Sequence, residues 1–192
     1  MTARYDALLC ALYDPAAPPP VPADRVARFE IERTRRILDI ARLISTQWPR
    51  TSALARAWSG DDAVHATARG IPGLRATAQS FADAVDAAFA TWVVANDATV
   101  LRWVHRFEQA KRGKSDATRP PTADELRRLT SVSDPARVLD APSDLMQTVR
   151  TVDFLTARGA TAEMLRQIAL SGPATSIAFF ARGGQVYAVP VG

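Results

Sequence analysis

The sequence predicts a mainly α-helical protein that ends in a small α+β module, an N-terminal helical bundle followed by a winged-helix-like domain with a β-hairpin. Three observations carry this. Apolar residues recur at the helical period through most of the chain. From Ser176 the pattern changes to two β-rich runs around Gly183-Gly184. Between the regimes, Gly113 to Pro121 is polar, with glycine at one end and a Pro-Pro pair at the other. The predicted organisation is a helical domain over 1–112, a linker over 113–121 and a helix–hairpin domain over 122–192.

Residues 2–13 read as a short helix with Tyr5, Leu8, Leu9 and Leu12 on one side; the proline-rich stretch from Pro15 to Pro22 stops it. A long helix opens at Ala23 or Asp24 and runs to about Gln47, with Val26, Phe29, Ile37, Ile40 and Ile44 on one stripe and Ile31 and Leu38 on a second face. A helix apolar on two sides is either central to a bundle or docks a partner. Trp48-Pro49 breaks it, and a short helix covers 51–58. Asp61 and Asp62 read as caps for a helix over 62–69, and Gly70, Pro72 and Gly73 as a loop. Residues 78–95 form an amphipathic helix with Phe81, Val85, Ala88 and Trp92 on its stripe. Asp97 caps the next, with Val100, Trp103, Val104 and Phe107 inward.

Beyond the linker, Thr122 and Glu125 match a capping box. Arg137 to Leu139 is a candidate strand. Ser143 is placed to cap a helix that Gly159 ends, and Thr161 to cap another with Met164, Leu165 and Ile168 inward, ended by Gly172-Pro173. A two-residue Gly-Gly loop favours a primed turn and fixes the hairpin register: Arg182 opposite Gln185, Phe180 opposite Tyr187, Phe179 opposite Ala188, Ile177 opposite Pro190. One face then carries Ile177, Phe179, Ala181, Val186 and Ala188 and meets the helices. The other carries Ser176, Ala178, Phe180, Arg182, Gln185, Tyr187 and Val189 as a half-exposed strip. If the 137–139 strand pairs with the last strand, as in a winged helix, residues 176–181 are left as an open apolar edge. Such an edge must be covered or used, and strand addition by a peptide is one use. The expected peptide-binding residues are Ser176, Ile177, Ala178, Phe179, Phe180, Ala181, Arg182 and Tyr187; the competing reading is a hairpin that closes a small core with its edge covered by the chain.

Composition sets limits. Lys+Arg 24 against Asp+Glu 20 gives a net charge of +4, and the arginines are scattered. Arg33, Arg35 and Arg36 wrap around a helix, and Lys111, Arg112 and Lys114 are a second local group, so a solvated surface is favoured over a nucleic-acid footprint. Cys10 is the single cysteine and reads as a small core residue, which suits a reducing cytoplasm. Asp6 and Asp14 interrupt any signal-peptide h-region, and no apolar run approaches a membrane span. His65 and His105 lack the spacing of a helical metal pair and read as surface histidines. Asp83 and Asp86 read as solvated. There is no phosphate-binding P-loop, dinucleotide glycine fingerprint, GxSxG or HExxH. The sequence therefore predicts no catalytic residue and no metal ligand.

Trp48-Pro49-Arg50-Thr51-Ser52-Ala53-Leu54 after a long helix, and Ser80-Phe81-Ala82-Asp83-Ala84-Val85 further on, resemble motifs in the partner subunits of multinuclear non-haem iron-dependent oxidative enzymes, which act in methanobactin-type and related ribosomal-peptide biosynthesis. The resemblance implies that Pro135 to Val191 is a winged-helix-like module binding a precursor's leader peptide by strand addition. It also implies a heterodimer with the iron-dependent enzyme, an iron site in that other subunit, and no cofactor in this chain. The expected function is thus an accessory, non-catalytic, leader-recruiting subunit of the cytoplasm, with precursor peptide and oxidative enzyme as partners and no membrane. The alternative is a winged-helix DNA-binding protein with Thr161–Leu170 as recognition helix. One Arg and one Glu there make a poor phosphate-binding face.

Overall fold

The computed structural model of the chain describes residues 7–8, 11–12, 17–60, 87, 89–96, 98–113, 118–129 and 137–191. Several expectations lie outside these residues: Cys10 and most of the first helix, the Asp61-Asp62 turn, His65 and the helix around it, the 70–73 loop, Phe81, Asp83, Val85, Asp86, Ala88, and the cap at Asp97. The described chain is mainly helical with one small antiparallel sheet. No helix among the described residues is long and apolar enough to cross a membrane.

The chain divides into two compact units, Met1–Asn96 and Asp97–Gly192. In the first, a 3-10 turn over Ala23–Arg25 leads into α1 (Val26–Gln47), and α2 (Pro49–Ser59) follows at once. Proline at the first position of α2 costs no hydrogen bond there. The α1 stripe is buried at Phe29, Ile40 and Ile44. Ile31 and Leu38, on the second face, are 67% and 41% exposed. Trp48 is almost fully buried, its ring 5.4 Å from Phe89, which stacks on Trp92 at 5.9 Å. Thr51 and Ser52 are buried with it, so core packing accounts for the Trp-Pro-x-Thr-Ser turn. Arg33 is buried too, because its guanidinium has carbonyls to bond: Nε donates to Ala11 O at 2.9 Å and Nη2 to Ala17 O at 2.8 Å.

The second unit contains α3 (Thr99–Lys111), β1 (Thr118–Arg119), α4 (Ala123–Arg128), β2 (Arg137–Pro142), α5 (Leu145–Ala157), α6 (Ala162–Arg166), β3 (Ala174–Arg182) and β4 (Gln185–Pro190). The division at 96/97 differs from the expected linker at 113–121. The reason is α3, which packs on the sheet, its Phe107 ring 5.2 Å from Phe179. Within 113–121, Thr118 and Arg119 are strand, paired with Leu139 and Val138.

The sheet order is β1-β2-β3-β4, all antiparallel. Arg182↔Gln185, Phe180↔Tyr187, Phe179↔Ala188 and Ile177↔Pro190 pair as the turn chemistry requires. Gly183 and Gly184 both have positive φ, 58° and 77°, the backbone of a primed turn. The strand at 137 runs on to Pro142, and it lies against β3 rather than β4, from Arg137↔Phe179 to Pro142↔Ala174. This corrects the winged-helix pairing expected from the sequence.

Two of the helix starts expected to carry a side-chain cap do so, and one does not. Thr122 and Glu125 form the full capping box of α4, and Thr161 accepts from Met164 N. At α5 the N-cap is Asp144, not Ser143, and its carboxylate turns away from the helix to accept from Ser171 N at 2.8 Å. Ser143 N donates to Pro173 O at 2.8 Å. The α6–β3 connection is thereby fastened to the start of α5. α6 is a single short turn in which Leu165 is buried but Met164 is 48% exposed.

Candidate peptide-binding edge

The hairpin is covered on both faces away from its turn. On one side Phe179 meets Phe107 of α3 and Ile177 is buried, while Ala181, expected on this core face, is exposed. On the other, Ala178 and Val138 pack with Leu129 and Val191, and Phe180 and Val189 lie against that cluster. The strip expected to be half exposed is open only toward the turn, at Arg182, Gln185 and Tyr187. There Phe180 and Tyr187 stack with centroids 5.7 Å apart, as cross-strand aromatics do.

Of the expected peptide-binding residues, Ile177, Ala178 and Phe179 are buried, and β2 holds the edge of β3 from Ala174 to Phe179. Ser176 is also engaged: its hydroxyl donates to Asp140 Oδ1 at 2.8 Å and accepts from Arg119 Nη2 at 3.2 Å. The expected open edge at 176–181 is therefore closed by the chain as far as Phe179. Because β2 lies on the β3 side of the hairpin and not on the β4 side, the free edge is that of β4.

That edge follows from the register. Residues flanking a two-residue turn form a hydrogen-bonded pair, and such pairs alternate along the ladder. Arg182–Gln185, Phe180–Tyr187 and Ala178–Val189 are bonded pairs, and Val191 N donates to Ser176 O at 2.8 Å in the same alternation. The N–H and C=O groups of Val186 and Ala188 then point away from β3. Among the described residues no strand takes them, since β4 ends the sheet. Pro190 is the next outward position and offers only its carbonyl. Gln185–Pro190 contains no charged residue, so β4 lacks the lysines that usually blunt an exposed edge.

The opposite end of the sheet is held by charge. Arg119 donates through Nη1 and Nη2 to Glu125 at 2.8 and 2.7 Å, and through Nε and Nη2 to Asp140 at 2.9 and 3.0 Å. The Arg119 bonds, with that from Thr122 N, hold the Glu125 carboxyl far below the usual carboxylate range. Arg119 and then the Ser176 hydroxyl lower Asp140 against the opposing effect of burial. Glu125 and Asp140 in turn raise Arg119. The capping box was legible in the sequence; its arginine was not, because Arg119 sat in a presumed linker.

His105 corrects another expectation. It is 3% exposed on α3, not on the surface. Burial, then the positive charge of Arg112, lowers its pKa to about 4. Trp103, expected inward, is half exposed beneath the Arg106 guanidinium at 4.5 Å. Among the described residues no group of three or more His, Cys, Asp or Glu could hold a metal ion. Comparisons with protein-family models, curated proteins and solved structures returned no match.

Proposed function

We propose that the chain is a peptide-recruiting subunit without catalytic chemistry of its own, which takes an extended segment onto the outer edge of β4. The observation that supports this is the uncharged edge, whose outward polar groups at Val186 and Ala188 lie beside the exposed Tyr187. Main-chain hydrogen bonds supply affinity in this mode, and alternate side chains supply selectivity. On this reading Tyr187, stacked on Phe180, and Arg182 contact the peptide. Ile177, Ala178 and Phe179 support the edge from the neighbouring strand. The motifs around Trp48 and Phe81 extend the proposal: the segment is a precursor leader, and the partner is an iron-dependent oxidative enzyme that carries the metal. The α4–β2–α5–α6–β3–β4 order supports a winged-helix-derived module with altered strand pairing. The DNA-binding alternative loses support from α6, which spans only Ala162–Arg166 and pairs its Arg166 with Glu163 at 3.8 Å.

Calorimetry with the N-terminal segments of short peptides encoded beside this gene tests the proposal. Ala188→Pro removes one outward N–H and no β3–β4 hydrogen bond. It is expected to weaken binding by roughly 10-fold or more. Unchanged affinity in a folded Ala188→Pro protein would sink strand addition.

A further inference from the structure

The β4 edge is complementary to itself. Its two outward-bonding residues, Val186 and Ala188, are placed symmetrically about Tyr187. Set a second copy antiparallel, with a two-fold axis through Tyr187 and normal to the sheet. Val186 of each copy then faces Ala188 of the other, and each facing pair exchanges two hydrogen bonds. Tyr187 meets Tyr187 of the second copy in a non-hydrogen-bonded pair, where Cα atoms approach to roughly 4.5 Å. Aromatic pairs are favourable at such positions. Pro190 falls opposite Gly184 of the second copy, where the ladder ends at the turn.

We propose that this edge mediates self-association, two copies joining β4 to β4 into one continuous eight-stranded sheet, and that the dimer withholds the edge from peptide. The first half stands on the register alone; the second rests on the peptide-binding reading above. A second copy suits the edge because nothing along it repels its own image. Gln185–Pro190 is uncharged. Arg182 lies beside the turn and is roughly 20 Å from its symmetry mate, beyond the screening length; Arg128, which donates to Val191 O just past β4, sits at the far end of the strand from the axis. A two-fold contact also explains why Tyr187 is 44% exposed at the centre of an apolar strand. An isologous interface requires self-complementarity, and a three-residue Val-Tyr-Ala centre satisfies it with the fewest constraints.

Sedimentation velocity of the full chain across a concentration series, without peptide, is the test. The weight-average mass is expected to rise from monomer toward dimer. Tyr187→Lys and Tyr187→Glu each place like charges opposite one another at the axis and should weaken association roughly 10-fold. Mixing the two variants should restore it as a heterodimer, an outcome that general destabilisation does not produce. Circular dichroism confirms that both variants fold. A chain that stays monomeric to roughly 1 mM, or a dimer indifferent to the swap, overturns the proposal. Peptide added to the wild-type dimer is expected to release monomer–peptide complex. Peptide that binds with the dimer intact refutes the shared edge. A dimer that binds no peptide refutes the recruiting reading and leaves the self-association standing.

Discussion

Arg119 and Glu125 form a two-bond ion pair, with Nη1–Oε2 at 2.8 Å and Nη2–Oε1 at 2.7 Å. Through it a two-residue strand is locked to the first turn of α4. The same Glu125 accepts from Thr122 N at 2.7 Å, so one carboxylate closes a capping box and anchors a sheet edge together. Glu125→Ala is expected to cost about 1–3 kcal/mol, because it leaves Arg119 and the cap short of partners. Urea unfolding measures it.

The same network sets an acid limit. Glu125 and Asp140 are both lowered from ordinary values of 4.5 and 3.8. A carboxylate lowered by folding contributes stability that is fully present above its unfolded value and lost as pH falls below it. Unfolding midpoints should therefore decline below about pH 4.5, and Glu125→Gln should flatten the decline.

His105 titrates in a separate, higher window. Its pKa falls from 6.5 unfolded to about 4 folded. Between these values the unfolded chain binds a proton that the folded chain refuses, so stability drops as pH falls from about 6.5 to about 4. The full effect is on the order of 3 kcal/mol. Thermal melts at pH 7 and pH 5 should differ less for His105→Gln than for the wild type.

Gly172 has no room for a side chain. A Cβ there would lie 2.5 Å from Ser143 Oγ and 2.8 Å from both Asp144 N and Asp144 Oδ1. The Asp144 backbone cannot give way, since Ser143 N and the Asp144 carboxylate hold this loop in place. Gly172→Ala is expected to destabilise by about 1–3 kcal/mol in denaturant melts.

Arg33→Ala should loosen the N-terminal segment without unfolding α1 and α2. The guanidinium is the described tie between α1 and the carbonyls of Ala11 and Ala17. Faster hydrogen exchange and earlier proteolysis confined to the segment before Ala23 are the expected readouts.

Local chemistry was the legible part of this sequence. The Gly-Gly turn dictated every β3–β4 pair, and Thr122 and Thr161 announced their helices, because those signals act within a few residues. What stayed hidden depends on distant partners. Nothing near Arg137 states which side of the hairpin it joins, since either neighbour satisfies the same alternation. Arg119 gave no local sign of Asp140, and His105 none of its burial, because α3 is enclosed on more than the side its apolar stripe marks. The candidate edge was thus recognised as an edge and assigned to the wrong strand.

The seam between β2 and β3 has a consequence in time. β3 and β4 meet across two residues, whereas β2 reaches β3 only after α5 and α6 have been traversed. A tight hairpin closes in microseconds, and a distant strand arrives later. In that interval the nascent hairpin bares the row from Ser176 to Phe179 that the finished fold keeps covered. For this chain, vulnerability to misassembly on the ribosome or during refolding is concentrated in that brief delay.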